Sequence, residues 1–177
     1  MKNLMIILVA FSTFLSVSAQ SPEVAREKMK PFESWVGHWK GEGSMRMGPG
    51  EPKKSAVDET ILRKLDGTVV LVEGIGKSIN ESGNEVVSHH ALGILAYDQT
   101  KNEYQFSSYL VDGHMTDAWF TIEGDNRYQW GFDTPRGKIR YSITLDPVEK
   151  TWSEIGEFSA DGNNWMQFFT MDLIKVD

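Results

Sequence analysis

Four histidines, no cysteine and a few charged residues set into apolar runs are what this 177-residue chain offers for chemistry. His89 and His90 are adjacent in "SHHALGILAYD", which reads as a strand. Neighbouring side chains of a strand point to opposite faces, so the two cannot clasp one metal ion together. His38 and His114 stand alone. A zinc site needs three or four converging ligands, and no thiolate is present to supply any. No metal is expected. His89 shares its face with Ala91, Gly93 and Leu95, whereas His90 shares its face with Leu92, Ile94 and Ala96. The smaller residues around His89 could border a cavity, so His89 is the preferred inward-facing residue, with His90 as the alternative.

Arg140 in "GKIRYSITL" sits among apolar neighbours, and Glu154 in "TWSEIGEF" shares a face with Trp152, Gly156 and Phe158. The turn "DPVEK" would lay these two strands side by side, so Arg140 and Glu154 could pair across the hairpin. Such a pair, partly buried, would hold a polar group of a ligand or neutralise itself; an outward surface pair is the alternative. Glu73 in "VVLVEGIG" is a further charge in an apolar run, or an outward-facing residue. Catalytic patterns fail. "GIGKS" would need glycine at 71 for a phosphate loop, and Leu71 stands there. No G-x-S-x-G occurs. Glu154 and Glu157 face opposite ways and make a poor carboxylate pair. "NES" at 80–82 is a glycosylation sequon, relevant only to a eukaryotic secretory host.

The elements that must position these residues are mostly strands. "SPEVAREKMKPFESW" is the one helical stretch: Ser21 can cap it, Pro22 suits the first turn, and Pro31 ends it. Turn signals then recur about every ten residues, among them "GPGEPK", "NESGNE", "DQTKNE", "DTPRG" and "SADGNN". Between them the pattern predicts strands near 38–47, 54–65, 68–79, 85–97, 103–111, 113–123, 126–133, 137–146, 150–158 and 164–175. In "KIRYSITL", Ile139, Tyr141, Ile143 and Leu145 share one face, and Lys138, Arg140, Ser142 and Thr144 the other. Faces of this mixed kind suit a barrel with a semi-polar interior better than a sandwich with one dry core. Eight strands leave room for side chains or one small ligand; about ten leave a cavity.

"ESWVGHWKGEG" at 33–43 reads as the start of that barrel. Gly41 and Gly43 allow bending and close backbone approach, and Trp39 on their face can lie across the barrel floor. Trp35 sits just before the strand, where the short helix would close that end.

The N-terminal "MKNLMIILVAFSTFLSVSAQ" has the features of an export signal: Lys2, an apolar core from Leu4 to Leu15, and small residues ending at Ala19. The apolar run is too short for a stable membrane span. Cleavage after Ala19 would leave 20–177 as one domain. The formal charge of -7 becomes -8 once Lys2 is lost, which argues against nucleic acid or an anionic membrane surface as the main partner. Periplasmic or secreted location follows from the leader. Without cysteine the exported protein has no disulfide and depends on its core.

The motif G-x-W-x-G-E-G, read at 37–43, resembles the start of calycin-type barrels, the lipocalin and fatty-acid-binding group. With "HHALGILAYD" at 89–98, "GKIRYSITL" at 137–145 and "WSEIGEFSADGNNWMQFFTMDLIKV" at 152–176, the chain resembles the DUF1579 proteins and the nitrobindin-like, THAP4-like haem-binding barrels. The resemblance implies an all-β fold: a ten-stranded antiparallel up-and-down β-barrel, lipocalin-like, with a short N-terminal helix. Calycins place a basic residue of the last strand over the floor tryptophan, and Lys175 is the residue available for that role. Nitrobindin-like proteins ligate haem through a histidine near the C-terminal strand; "NWMQFFTMDLIKV" has none, and Met166 and Met171 are more often packing residues in a strand. No cofactor is therefore expected; haem is what the family resemblance would imply, and the missing histidine disfavours it.

The expected function is an exported barrel that binds a small hydrophobic or amphipathic molecule. Trp119, Trp130 and Trp152 would give apolar and stacking surface, with His89, Arg140 and Glu154 as polar anchors. Trp35, Trp39 and Lys175 would form the floor. Two alternatives remain: a barrel enzyme using a buried His89 or Glu154 for acid–base chemistry, and a filled barrel acting as a protein-interaction module.

Overall fold

The structure, a computed structural model, describes residues 21–46 and 48–177. The expected export signal at 1–19 lies outside the described residues. The chain starts with helix α1 (Pro22–Lys28), where the Ser21 hydroxyl accepts the Glu23 N–H and Pro22 occupies the first turn. Pro31 does not end the helical segment: a 3-10 helix follows over Lys30–Trp35, because its early position loses no helical donor.

Ten strands follow: β1 (Gly37–Met45), β2 (Lys53–Lys64), β3 (Val69–Ile79), β4 (Glu85–Asp98), β5 (Glu103–Leu110), β6 (Met115–Gly124), β7 (Arg127–Thr134), β8 (Gly137–Asp146), β9 (Thr151–Ser159) and β10 (Met166–Lys175). Each pairs antiparallel with its neighbour in sequence, and β1 pairs with β10, so the sheet closes on itself. Closure leaves no strand edge exposed. The tight turns at one end are set by side chains. Asp98 accepts the N–H groups of Thr100 and Lys101, and Asp146 those of Val148 and Glu149. Asn102 and Lys150 then take the left-handed conformation, at φ 58° and 56°.

The β1–β10 seam explains one glycine of the "WVGHWKGEG" stretch. A Cβ on Gly41 would lie 2.0 Å from the Asp172 carbonyl oxygen. Only glycine lets the two backbones close the barrel there.

The helical segment plugs the end near the start of β1. Met29, Phe32 and Trp35 are buried. The Phe32 ring meets Trp35 edge-on at 5.1 Å and Tyr104 at 5.4 Å. Trp35 meets Trp152 at 4.6 Å, and Trp152 meets Trp39 at 5.8 Å. The Trp39 indole N–H donates to the Trp35 carbonyl over 2.7 Å. Lys175 Nζ stands 5.3 Å from the centre of the Trp39 ring and 3.4 Å from the Ser34 carbonyl. The floor is thus a packed aromatic layer with one cation against it. Among the described residues, no helix is long and apolar enough to cross a membrane.

Candidate functional site

Above the plug the barrel is hollow. A cavity of about 960 Å³ takes lining residues from all ten strands and runs from Trp35 to the β1–β2 loop at Gly48–Glu51. That volume is at the upper end of the roughly 300–1,000 Å³ typical of small-molecule sites. Strand alternation builds the wall. Phe106, Phe120, Trp130, Tyr141, Trp152 and Phe169 turn inward. The Trp130 and Tyr141 rings stack, with centroids 4.1 Å apart and planes 11° from parallel, and Phe106 meets Trp130 edge-on at 4.9 Å.

Two carboxyl groups interrupt this apolar wall. Glu154 of β9 is buried, and each of its oxygens accepts one indole N–H, from Trp130 at 3.0 Å and from Trp152 at 3.3 Å. Burial pushes its carboxyl up to about 7, although the two indole donors pull it down. Glu59 of β2 lies between Trp39 of β1 and Gly74 of β3. A Cβ on Gly74 would come within 3.0 Å of Glu59 Oε1, so the glycine makes room for the carboxyl. Among the described residues Glu59 has no hydrogen-bond partner, and what surface it keeps faces the cavity. Burial first, and then the charge of Glu154, push its carboxyl up to about 8. The Tyr141 phenol is also pushed up, by burial and then by Glu154.

The residues singled out in the sequence divide into two groups. Glu154, Trp130 and Trp152 meet at the cavity, and Trp35 closes its floor. His89 lines the upper part, and burial followed by the charge of His90 pushes its imidazole down. His90 faces outward, with Nε2 2.9 Å from Glu73 Oε1. Arg140 and Trp119 lie on the outside. The hairpin register pairs Arg140 with Glu157 and Ile143 with Glu154, so the expected Arg140–Glu154 pair does not form. Arg140 Nε donates instead to Glu157 over 2.7 Å, and its guanidinium lies 3.9 Å from the Trp165 ring centre. Trp119 is 42% exposed and its ring covers Gly131, whose Cβ would lie 2.6 Å from Trp119 Cζ2. Its neighbour Phe120 takes the inward position, and adjacent strand residues cannot both do so.

Glu59 escaped the sequence reading. Its signal was present, because Val57, Glu59 and Ile61 share one face of β2 and the two apolar members mark that face as interior. Among the described residues no group of three His, Asp or Glu side chains could hold a metal ion.

The model of the family described as "Protein of unknown function (DUF1579)" matches residues 25–174. The chain belongs to the DUF1579 family. No curated protein matches it. Two solved structures share the DUF1579 chain's fold at low identity. The crystal structure of Rv2717c from M. tuberculosis superposes with a TM-score of 0.58 at 12% identity, over 89% of this chain and 99% of that one. The S-type phycobiliprotein lyase CPES from Guillardia theta gives 0.59 at 10% identity, over 89% and 98%. At these identities the likeness is one of fold alone.

Proposed function

We propose that this DUF1579 protein is an exported binding protein that holds one small, largely apolar or amphipathic molecule inside its barrel. The observation that carries the reading is the cavity: about 960 Å³, plugged by aromatic residues at one end and walled mostly by apolar side chains. A space of this size and lining gains free energy when apolar surface replaces water within it. The hollow interior also speaks against a filled barrel that acts only through its outer surface. Export is supported by the N-terminal sequence, with its single lysine, apolar core and small residues before Ala19.

Native mass spectrometry of the protein purified gently from its own host tests the reading. The expected spectrum shows the mature chain carrying one extra mass of a few hundred daltons, released on unfolding. Bare chain as the sole folded species would overturn the proposal.

A further inference from the structure

Deep in the cavity two carboxyls, Glu154 and Glu59, line the wall together with the Tyr141 phenol. Glu154 holds two indole N–H donors, and among the described residues Glu59 has no hydrogen-bond donor. The cations of the closed end are occupied elsewhere. Arg63 is bound to Glu33 and the Gly67 carbonyl, and Lys175 lies against Trp39. Arg140 is outside the barrel, paired with Glu157. Lys53 and Lys54 line the cavity beside the β1–β2 loop, far along β2 from Glu59. A ligand that reaches the floor therefore meets two carboxyls and the faces of aromatic rings. The rings attract positive charge through their quadrupoles, and the carboxyls do so once ionised.

Resting on the reading of the cavity as a ligand site, we infer that its occupant is an amphipathic organic cation, an amine or quaternary ammonium on an apolar body, bound head-first with the cationic group against Glu59 and Glu154. A fatty carboxylate would add a third acid to the same enclosure and is disfavoured where the glutamates are ionised. Glu59 carries the assignment: a half-buried carboxyl that lines a large cavity and, among the described residues, has no donor is left for a ligand to meet.

The proton balance is explicit. Without ligand, Glu59 holds its proton up to about pH 8. A quaternary ammonium cannot accept that proton, so its binding forms a carboxylate–ammonium contact and releases one proton to water. Its affinity should rise from pH 6 to pH 9. The other titratable groups of the lining are Glu154 of β9, Tyr141 of β8, His89 of β4 and, towards the loop end, Glu51, Lys53, Lys54, Asp112 and His114. Glu154 titrates in the same window and contributes in the same direction; Tyr141 stays protonated throughout.

Three ten-carbon probes, decyltrimethylammonium, decanol and decanoate, all below their micelle concentrations, are tested as displacers of the neutral dye N-phenyl-1-naphthylamine. At pH 8 the ammonium should displace the dye at about tenfold lower concentration than decanol, the effect of one charge-assisted contact, and decanoate should be weakest. Glu59→Gln should abolish most of the preference and its pH dependence. Arg140→Leu, on the outer wall, should keep both. Equal displacement by ammonium and alcohol, or a preference that survives in the Glu59→Gln, Glu154→Gln double variant, would overturn the inference while the cavity reading stands. Failure of the dye to bind at all would overturn both.

Discussion

Replacing Glu59 by glutamine should make the protein more stable, and only at neutral to alkaline pH. Glutamine keeps the shape of the protonated acid and cannot ionise. The folded-state carboxyl titrates at about 8 against 4.5 for an ordinary glutamate. Between those values the folded protein holds a proton that the unfolded chain has released, so wild-type stability falls as pH rises through the window and stays low above it. A rise from 4.5 to about 8, at about 1.4 kcal/mol for each pH unit, gives an upper bound of about 5 kcal/mol. Hydration from the cavity lowers this, and about 2–3 kcal/mol at pH 9 is expected. That corresponds to a rise in Tm of about 5–10 °C for a chain of this size. Urea unfolding of wild type and Glu59→Gln at pH 4 and pH 9 measures it. The two should coincide at pH 4 and separate at pH 9. A difference below about 0.5 kcal/mol at both values, as for an ordinary surface site, would refute the claim that this carboxyl is enclosed without a partner.

Trp39 is 1% exposed, so Trp39→Ala should cost about 3–5 kcal/mol in chemical unfolding; a loss under about 1 kcal/mol would deny it the floor. Gly41→Ala should open the β1–β10 seam and lower Tm sharply, whereas Gly50→Ala should be milder: its added methyl meets nothing within 4 Å, and its cost is confined to backbone strain at φ 144°. Arg140→Leu removes an ion pair on the outer wall, so it should cost about 1 kcal/mol or less and leave dye affinity unchanged; a large loss of affinity would return the arginine to the site. Haemin should give no sharp, stoichiometric Soret shift, since β10 has no histidine; a shift lost in His89→Ala would contradict this.

The barrel was legible because its turns are chemically marked and its strands alternate. All ten strands expected from the sequence have both ends within two residues of those observed. Side-chain direction was legible where an apolar series fixes the face, as for Ile139, Tyr141 and Ile143. It was not legible for Arg140 and Glu154, because their meeting depends on hairpin register: a turn that pairs Asp146 with Thr151 necessarily pairs Arg140 with Glu157. Trp119 and Phe120 are adjacent aromatics, and composition does not say which of two faces the core. Glu59 was missed for a related reason. A lone charge in a strand reads as solvent-facing, yet its neighbours Val57 and Ile61 on the same face mark it as interior. The sequence therefore shows the container more clearly than the groups inside it that choose a ligand.

The most direct test of the central claim, that the cavity is a ligand site, is a fluorescence titration with N-phenyl-1-naphthylamine on wild type and on two variants that fill the space, Ala91→Trp and Val72→Trp. Both positions line the cavity. The account predicts blue-shifted, saturable emission at one dye per wild-type barrel, and its loss in either variant that unfolds cooperatively. Absence of saturable binding in wild type, or equal binding in a folded, filled barrel, would contradict it.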